Sequence, residues 1–282
     1  MSYIPGTLDH YSDYPSKYVD ARHIDVWLPP LYPDRSDSRY PVIFMQDGQN
    51  LFNPETAFIG VDWGISQIMF DLISEDNSQA AIIVGIWNTP NRFQEYIPVK
   101  PLLDQKKRCP EPSGVTVAGG LLADHYLKFV VDELKTFIDG RYRTLKEQCS
   151  TFIMGSSMGA LISLYALCEY PEIFGGAACL STHWPSLGKA IYAYLERALP
   201  PPGTCRLYFD HGTETLDRDY ESYQRQVDAV IEQSGYVKGR DWISLKFPGA
   251  DHSERSWRQR AHIPIRYLLK GKLPAAVTAG TQ

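Results

Sequence analysis

Short apolar segments recur along the chain between longer segments in which apolar residues have a helical spacing. Residues 23–28 alternate between apolar and polar side chains, as in an outer strand. Continuous apolar runs bounded by Gly, Pro or polar residues are typical of parallel strands buried on both faces. Such runs occupy residues 42–45, 81–86, 151–154 and 177–180, and residues 205–209 and 242–247 continue the series.

Three segments between these strands have the period of an amphipathic helix. The first repeats apolar residues from Leu122 to Ile138 and ends at Gly140, where a helix terminus is expected. The second runs from Met158 to Tyr170 before Pro171, and the third ends at Gly235. Alternating strands and helices predict an α/β fold, with a mostly parallel sheet and helices on both faces. Active sites in such sheets lie beyond the carboxyl ends of the strands.

The length of 282 residues suits one domain, which we place at residues 1–272, followed by a flexible tail at 273–282. Residues 98–120 form a Pro-rich and polar segment, predicted to be an insertion loop that walls or covers a cleft. The chain shows no internal repeat and no low-complexity linker.

Composition narrows the functional classes. A net charge of −5 and the absence of long Lys/Arg runs argue against nucleic acid or an anionic membrane as the main partner. The five cysteines form no Cys-x-x-Cys pair and are interpreted as reduced, packed thiols. Because the first residues lack a signal-peptide pattern and no apolar stretch reaches about 20 residues, we expect a cytoplasmic protein. No cofactor or metal is expected, since the chain has no His-Glu-x-x-His motif.

A Gly-x-Ser-x-Gly motif lies where a predicted strand meets a predicted helix. It reads Gly155-Ser156-Ser157-Met158-Gly159. A serine at such a junction occupies a strained turn that projects its hydroxyl above the sheet, and the flanking glycines remove Cβ atoms that would clash. The motif predicts Ser157 as a nucleophile, with the Met158 backbone N–H as half of an oxyanion hole.

A nucleophilic serine needs a base, and histidine has a suitable pKa. His252 follows the predicted strand 242–247 and a tight turn, and it precedes a predicted closing helix at residues 255–266. This is the place of the histidine in α/β-hydrolases, where it comes last in chain order. We therefore predict His252 as the base, with His211 and His262 as structural residues.

A carboxylate should orient that histidine and should follow the strand 205–209. Asp210, Glu214 and Asp217 all satisfy this position. Asp217 is favoured over Glu214, although it could instead cap the following helix. The acid therefore stays open at this level.

Several motifs together give the chain its resemblance to a known family. They are Gln46-Asp47-Gly48-Gln49-Asn50-Leu51-Phe52, the segment from Arg92 to Tyr96, Gly119-Gly120, and the serine motif. In this combination the chain resembles the "putative esterase" branch of the α/β-hydrolases. That branch contains esterase D-like, enterochelin, feruloyl and acetyl xylan esterases.

The resemblance implies further site residues. The Gln49 backbone N–H would complete the oxyanion hole with that of Met158. Arg92, Glu95 and Tyr96 would border the substrate cleft or, equally, form a structural ion pair and hydrogen bond. Trp184, near a loop end, is a possible cleft residue or a packing residue. Several members of the branch carry an aspartate where this chain has Thr215. The loop must therefore place Glu214 or Asp217 beside the histidine in a different way, or Ser157 and His252 work largely as a pair.

The function expected is a serine esterase that hydrolyses carboxylic esters through an acyl-enzyme, with a small-molecule or carbohydrate ester as substrate. Two alternatives remain. One is acyl transfer on the same triad, as in mycolyltransferase relatives, and the other is a non-catalytic binding protein on a hydrolase scaffold. The oligomeric state and the identity of the ester are not determined by the sequence.

Overall fold

The computed structural model describes residues 5–33, 37–108 and 120–272. Its centre is a sheet of eight strands in the order β1-β2-β4-β3-β5-β6-β7-β8. β1 pairs antiparallel with β2 and β2 with β4, whereas every other pair is parallel. The strands are β1 Thr7–Tyr14, β2 Arg22–Leu28, β3 Val42–Gln46, β4 Ile82–Ile86, β5 Thr151–Ser156, β6 Gly176–Leu180, β7 Arg206–His211 and β8 Trp242–Lys246.

Helices cover both faces of this sheet. They are α1 Ile65–Glu75, α2 Arg92–Tyr96, α3 Val99–Arg108, α4 Ala123–Lys128, α5 Thr136–Arg141, α6 Met158–Glu169, α7 Ala190–Ala198, α8 Tyr220–Gln233, α9 Glu254–Arg260 and α10 His262–Lys270. A π-helical segment, Phe129–Lys135, joins α4 to α5. None of these helices is both long enough and apolar enough to cross a membrane.

The central strands are buried on both faces, which explains their continuous apolar sequences. In β3, Val42 and Phe44 pack into one core layer, whereas Ile43 and Met45 pack into the other. Helix α6 follows β5 and has eleven of its twelve residues buried. Such a helix is apolar all round, because it has protein on every side.

The α/β-hydrolase fold expected from the sequence is confirmed, and seven of the eight strands coincide with predicted segments to within two residues. The pattern missed β1, whose sequence Thr-Leu-Asp-His-Tyr-Ser-Asp-Tyr is mostly polar and has no buried residue at the sheet edge. Since no side chain of β1 is buried, the strand needs no continuous apolar run.

Two helical predictions differ from the structure. The segment 255–266 is two helices, α9 and α10, because Pro264 lacks an N–H and its ring would clash with the carbonyl of Arg260 in a continuous helix. Residues 99–108 of the predicted insertion loop form α3, while 109–119 lie outside the described residues. The predicted tail, 273–282, also lies outside them.

Candidate active site

Ser157 occupies a sharp turn between β5 and α6, with φ +56° and ψ −121°. Such a conformation is costly for a residue with a side chain and persists only where its surroundings enforce it. The flanking glycines make the turn possible. A Cβ on Gly155 would lie 2.5 Å from the carbonyl oxygen of Gly159, and one on Gly159 would lie 3.0 Å from Cβ of Gln46. The turn therefore holds the Ser157 side chain at the carboxyl end of the sheet.

The loop after β8 brings His252 to this serine. The Ser157 hydroxyl lies 2.9 Å from Nε2 of His252. The imidazole sits between two aromatic rings that meet it edge-on, Tyr220 at 5.7 Å and Trp257 at 5.0 Å between centroids. These rings restrict rotation of the imidazole, so its two nitrogens keep their directions.

Asp217 is the carboxylate that meets this histidine, with its Oδ1 2.6 Å from Nδ1 of His252. The competing carboxylates lie elsewhere. Glu214 is exposed, and Asp210 forms a buried ion pair with Arg260 at 3.0 Å. A 3₁₀ turn over Thr215–Asp219 carries Asp217 inward.

Thr215 contacts the backbone of the loop that carries His252. Its hydroxyl accepts a hydrogen bond from the backbone N–H of His252 at 2.9 Å. Its φ of +52° lies in the left-handed region, which is unusual for a β-branched residue. Thr215 thus ties the loop after β7 to the loop after β8.

Ser181 supports the carboxylate from the end of β6. Its hydroxyl donates to Oδ2 of Asp217 at 2.6 Å and accepts hydrogen bonds from the Trp257 indole at 3.0 Å and from Arg260 at 2.9 Å. The Gly212 N–H also donates to Oδ2 of Asp217, at 2.6 Å. Burial alone would raise the pKa of Asp217, but the hydrogen bonds from His252, Ser181 and Gly212 hold it below its usual value.

The turn after β3 approaches Ser157 from the other side. Gly48 packs against the end of β4, where a Cβ would lie 2.6 Å from the carbonyl carbon of Gly85. Asp47 precedes it with φ +55° and receives two hydrogen bonds from Arg92, at 2.7 and 2.8 Å. Asn88 also donates to Asp47, at 2.6 Å. These contacts fix the turn that carries the backbone of Gln49.

A cavity of about 440 Å³ opens beside Ser157. Phe58 stands at its wall and is 83% exposed. The lining residues are Asp47, Gln49, Asn50, Phe58, Ile59, Asn88, Thr89, Arg92, Ser156, Ser157, His252, Ser253, Glu254 and Trp257. In the part of the chain that the structure describes, no three His, Cys, Asp or Glu residues could hold a metal ion together.

The residues expected at the cleft divide into two groups. The structure brings Ser157, His252 and Asp217 together and places Gln49 and Arg92 at the cavity. It places Glu95, Tyr96 and Trp184 in the core, each 0% exposed. There Glu95 pairs with Arg22, and Trp184 donates from its indole to Gln224.

Tyr96 contacts the turn after β3 from the core, since its hydroxyl accepts a hydrogen bond from the Asp47 N–H at 3.4 Å. Sequence reasoning missed Ser181 and Glu254 as neighbours of the site, and it named Thr215 without assigning it a contact. Ser181 follows the predicted strand 177–180, so its place at a strand end was a signal that could have found it. Glu254 gave no such signal, because it neither ends a predicted strand nor belongs to a motif, and it lies just before the predicted helix 255–266.

A family model described as "Putative esterase" matches residues 17–261 of the chain. The chain belongs to this esterase family. It is a carboxylic ester hydrolase, as the family match shows. Among curated proteins, the esterase is 24% identical over 243 residues to the uncharacterized protein YbbA of Bacillus subtilis, covering 83% of this chain and 87% of that one.

Solved structures share the fold of this esterase. The CE1 ferulic acid esterase of the anaerobic fungus Anaeromyces mucronatus aligns with a TM-score of 0.65 at 17% identity, over 96% of this chain and 91% of its own. An IroE-like serine hydrolase of Shewanella oneidensis aligns with a TM-score of 0.64 at 18% identity, over 94% and 79%. The enterobactin esterase of Shigella flexneri, solved with enterobactin, has a TM-score of 0.66 at 16% identity, over 95% and 59%.

Proposed function

We propose that this esterase is a serine hydrolase that cleaves small-molecule carboxylic esters through an acyl-enzyme. The observation that carries the proposal is the continuous hydrogen-bond chain from Ser157 through His252 to Asp217, with steps of 2.9 and 2.6 Å. Both distances lie within the range for a nucleophile, its base and the group that orients the base. Ser157 and His252 line a cavity that is large enough for a small ester.

In the first half of the reaction, His252 takes the proton of Ser157 as its oxygen attacks the ester carbonyl. Asp217 keeps the proton of the imidazole on Nδ1, so that Nε2 is free to accept. The Asp217 carboxylate then stabilises the imidazolium that forms. His252 returns the proton to the leaving alcohol, and the acyl group remains on Ser157.

Charge develops on the carbonyl oxygen during this attack, and the backbone N–H groups of Met158 and Gln49 are the donors we assign to it. Met158 begins α6, where the first N–H groups have no partner within the helix. Gln49 lies in the turn that Arg92 and Asp47 fix. Each such donor contributes roughly 3–4 kcal/mol to transition-state stabilisation. In the second half, water attacks the acyl-enzyme by the same sequence of proton transfers.

The test is hydrolysis of p-nitrophenyl acetate by the wild type and by Ser157→Ala. The variant should lose almost all activity, whereas the wild type should show acylation of Ser157 by mass spectrometry and labelling by a fluorophosphonate probe. Ser163→Ala is the matched control, since Ser163 is buried in α6 and donates only to the Gly159 carbonyl. Undiminished hydrolysis by Ser157→Ala would refute the assignment. Transfer of the acyl group to added alcohols in preference to water would indicate an acyltransferase instead.

A further inference from the structure

Glu254 is a carboxylate in the wall of the cavity that the proposed mechanism does not use. It is the first residue of α9, it lines the cavity together with Ser157 and His252, and only 7% of its surface is exposed. Among the described residues, no other side chain hydrogen-bonds its carboxylate, and its own backbone N–H is the one hydrogen-bond donor that lowers its pKa. Buried carboxylates are normally paired, because removing the charge from water is costly.

The neighbouring charges leave Glu254 unbalanced. In the described part of the chain, Arg92 is the one Arg or Lys residue that lines the cavity, but its Nε and Nη2 atoms are committed to Asp47. That ion pair carries no net charge, and His252 must be neutral to act as a base. Among the residues that line the cavity, an ionised Glu254 therefore leaves a net charge of about −1.

The surroundings of Glu254 resist its ionisation. Burial is the main cause that raises its pKa, and the Asp47 carboxylate adds to the effect, while His252 and Arg92 act against it. A bound group that donates a hydrogen bond or carries a positive charge would stabilise the ionised carboxylate and so offset both effects. A bound carboxylate would instead repel the ionised Glu254 carboxylate.

We propose that Glu254 is a specificity residue that selects esters bearing a hydrogen-bond donor, a hydroxyl or an ammonium group, and rejects esters bearing a carboxylate. This inference rests on the proposed function, since it assumes that the ester binds in the cavity beside Ser157. The donor group would bind the carboxylate oxygens of Glu254 while the carbonyl reaches Ser157. Electrostatic selection of this kind is strong in a partly enclosed cavity, where screening by water is reduced.

Two series of esters test the inference, because the donor group can lie on either side of the scissile bond. The first consists of meta-substituted phenyl acetates and the second of methyl esters of meta-substituted phenylpropanoic acids. Each series carries a methyl, hydroxymethyl, aminomethyl or carboxymethyl substituent. Hydrolysis is followed by pH-stat at neutral pH, and kcat/KM is measured for every ester.

In at least one series, the wild type should prefer the aminomethyl ester over the carboxymethyl ester by at least about tenfold, with the hydroxymethyl ester above the methyl ester. Glu254→Gln keeps the shape of the side chain and removes its charge, so that the aminomethyl preference should fall at least about tenfold, equivalent to 1.4 kcal/mol. Glu254→Asp keeps the charge and should retain the sign of the preference. Glu214→Gln removes one charge from an exposed loop position and should leave the preference unchanged.

Equal preferences in the wild type and Glu254→Gln, with both proteins folded by circular dichroism, would overturn the inference and leave the proposed function standing. A wild type that prefers the carboxymethyl ester in both series would overturn it as well. Should Glu254→Gln fail to fold, loss of the preference in Glu254→Asp would count against it. A wild type that hydrolyses none of these esters and resists fluorophosphonate labelling would reject the proposed function itself.

Discussion

Replacement of Asp217 by asparagine should abolish the basicity of His252 while leaving the side-chain volume unchanged. Oδ2 of Asp217 accepts hydrogen bonds from two donors, the Ser181 hydroxyl and the Gly212 N–H. Ser181 cannot reverse its role, because its oxygen already accepts from Trp257 and Arg260. The amide oxygen of an asparagine must therefore take the Oδ2 position, and its NH₂ group must face His252.

This orientation forces the wrong tautomer on the histidine. An NH₂ group donates to Nδ1 of His252, so the proton of a neutral imidazole moves to Nε2, the atom that must accept from Ser157. Loss of the correct tautomer in a Ser-His-Asp triad lowers kcat by roughly 10⁴-fold. Because the two donors fix the amide firmly, we expect Asp217→Asn to lose on the order of 10³- to 10⁴-fold in kcat with a smaller change in KM.

The assay is hydrolysis of p-nitrophenyl acetate across pH, with a thermal melt to confirm that the variant is folded. Glu214→Gln is the control, since Glu214 lies on the same loop and is exposed. It should keep activity within about twofold, as surface substitutions usually do. The reasoning is refuted if folded Asp217→Asn stays within tenfold of the wild type, or if Glu214→Gln shows the larger loss.

Three further predictions concern buried polar residues in and around the site. Ser181→Ala should lower kcat/KM about tenfold and shift the pH profile, since a charge-assisted hydrogen bond is lost, whereas Ser163→Ala should not shift it. Glu95→Gln should lower the free energy of unfolding in urea by about 3–5 kcal/mol, because it leaves the fully buried Arg22 charge unpaired, and a loss below 1 kcal/mol would contradict this. Glu254→Gln should gain stability over the wild type as pH rises from about 4 to 7, because a raised carboxyl pKa in the folded state means that ionisation destabilises it, and a melting-temperature difference independent of pH would exclude this.

Local sequence determined the candidate nucleophile and the strands. Gly155 meets a steric demand within the turn, since a Cβ there would meet the Gly159 carbonyl, whereas the demand on Gly159 comes from Gln46 of β3. The strands are equally local in origin, since burial on both faces favours continuous runs of apolar residues. His252 could be predicted because the order of elements places it after the last strand.

The acid shows where local information ends. Glu214 and Asp217 are three residues apart on one loop, and sequence alone could not decide between them. The decision comes from Ser181 and His252, which lie 36 and 35 residues away from Asp217 along the chain. Their hydrogen bonds exist only once β6, β7 and β8 are side by side.

The cavity wall was decided by tertiary structure for the same reason. Glu95 is buried because Arg22, 73 residues earlier in the chain, supplies a bidentate partner inside the core. Glu254 has no such partner among the described side chains and remains at the cavity. The sequence by itself determined that Ser157 lies where a strand meets a helix, since the apolar run and the Gly-x-Ser-x-Gly pattern are both local. Only the folded chain decided which carboxylate meets His252, which one is paired in the core and which one lines the cavity, because ion pairing depends on distant residues and on burial.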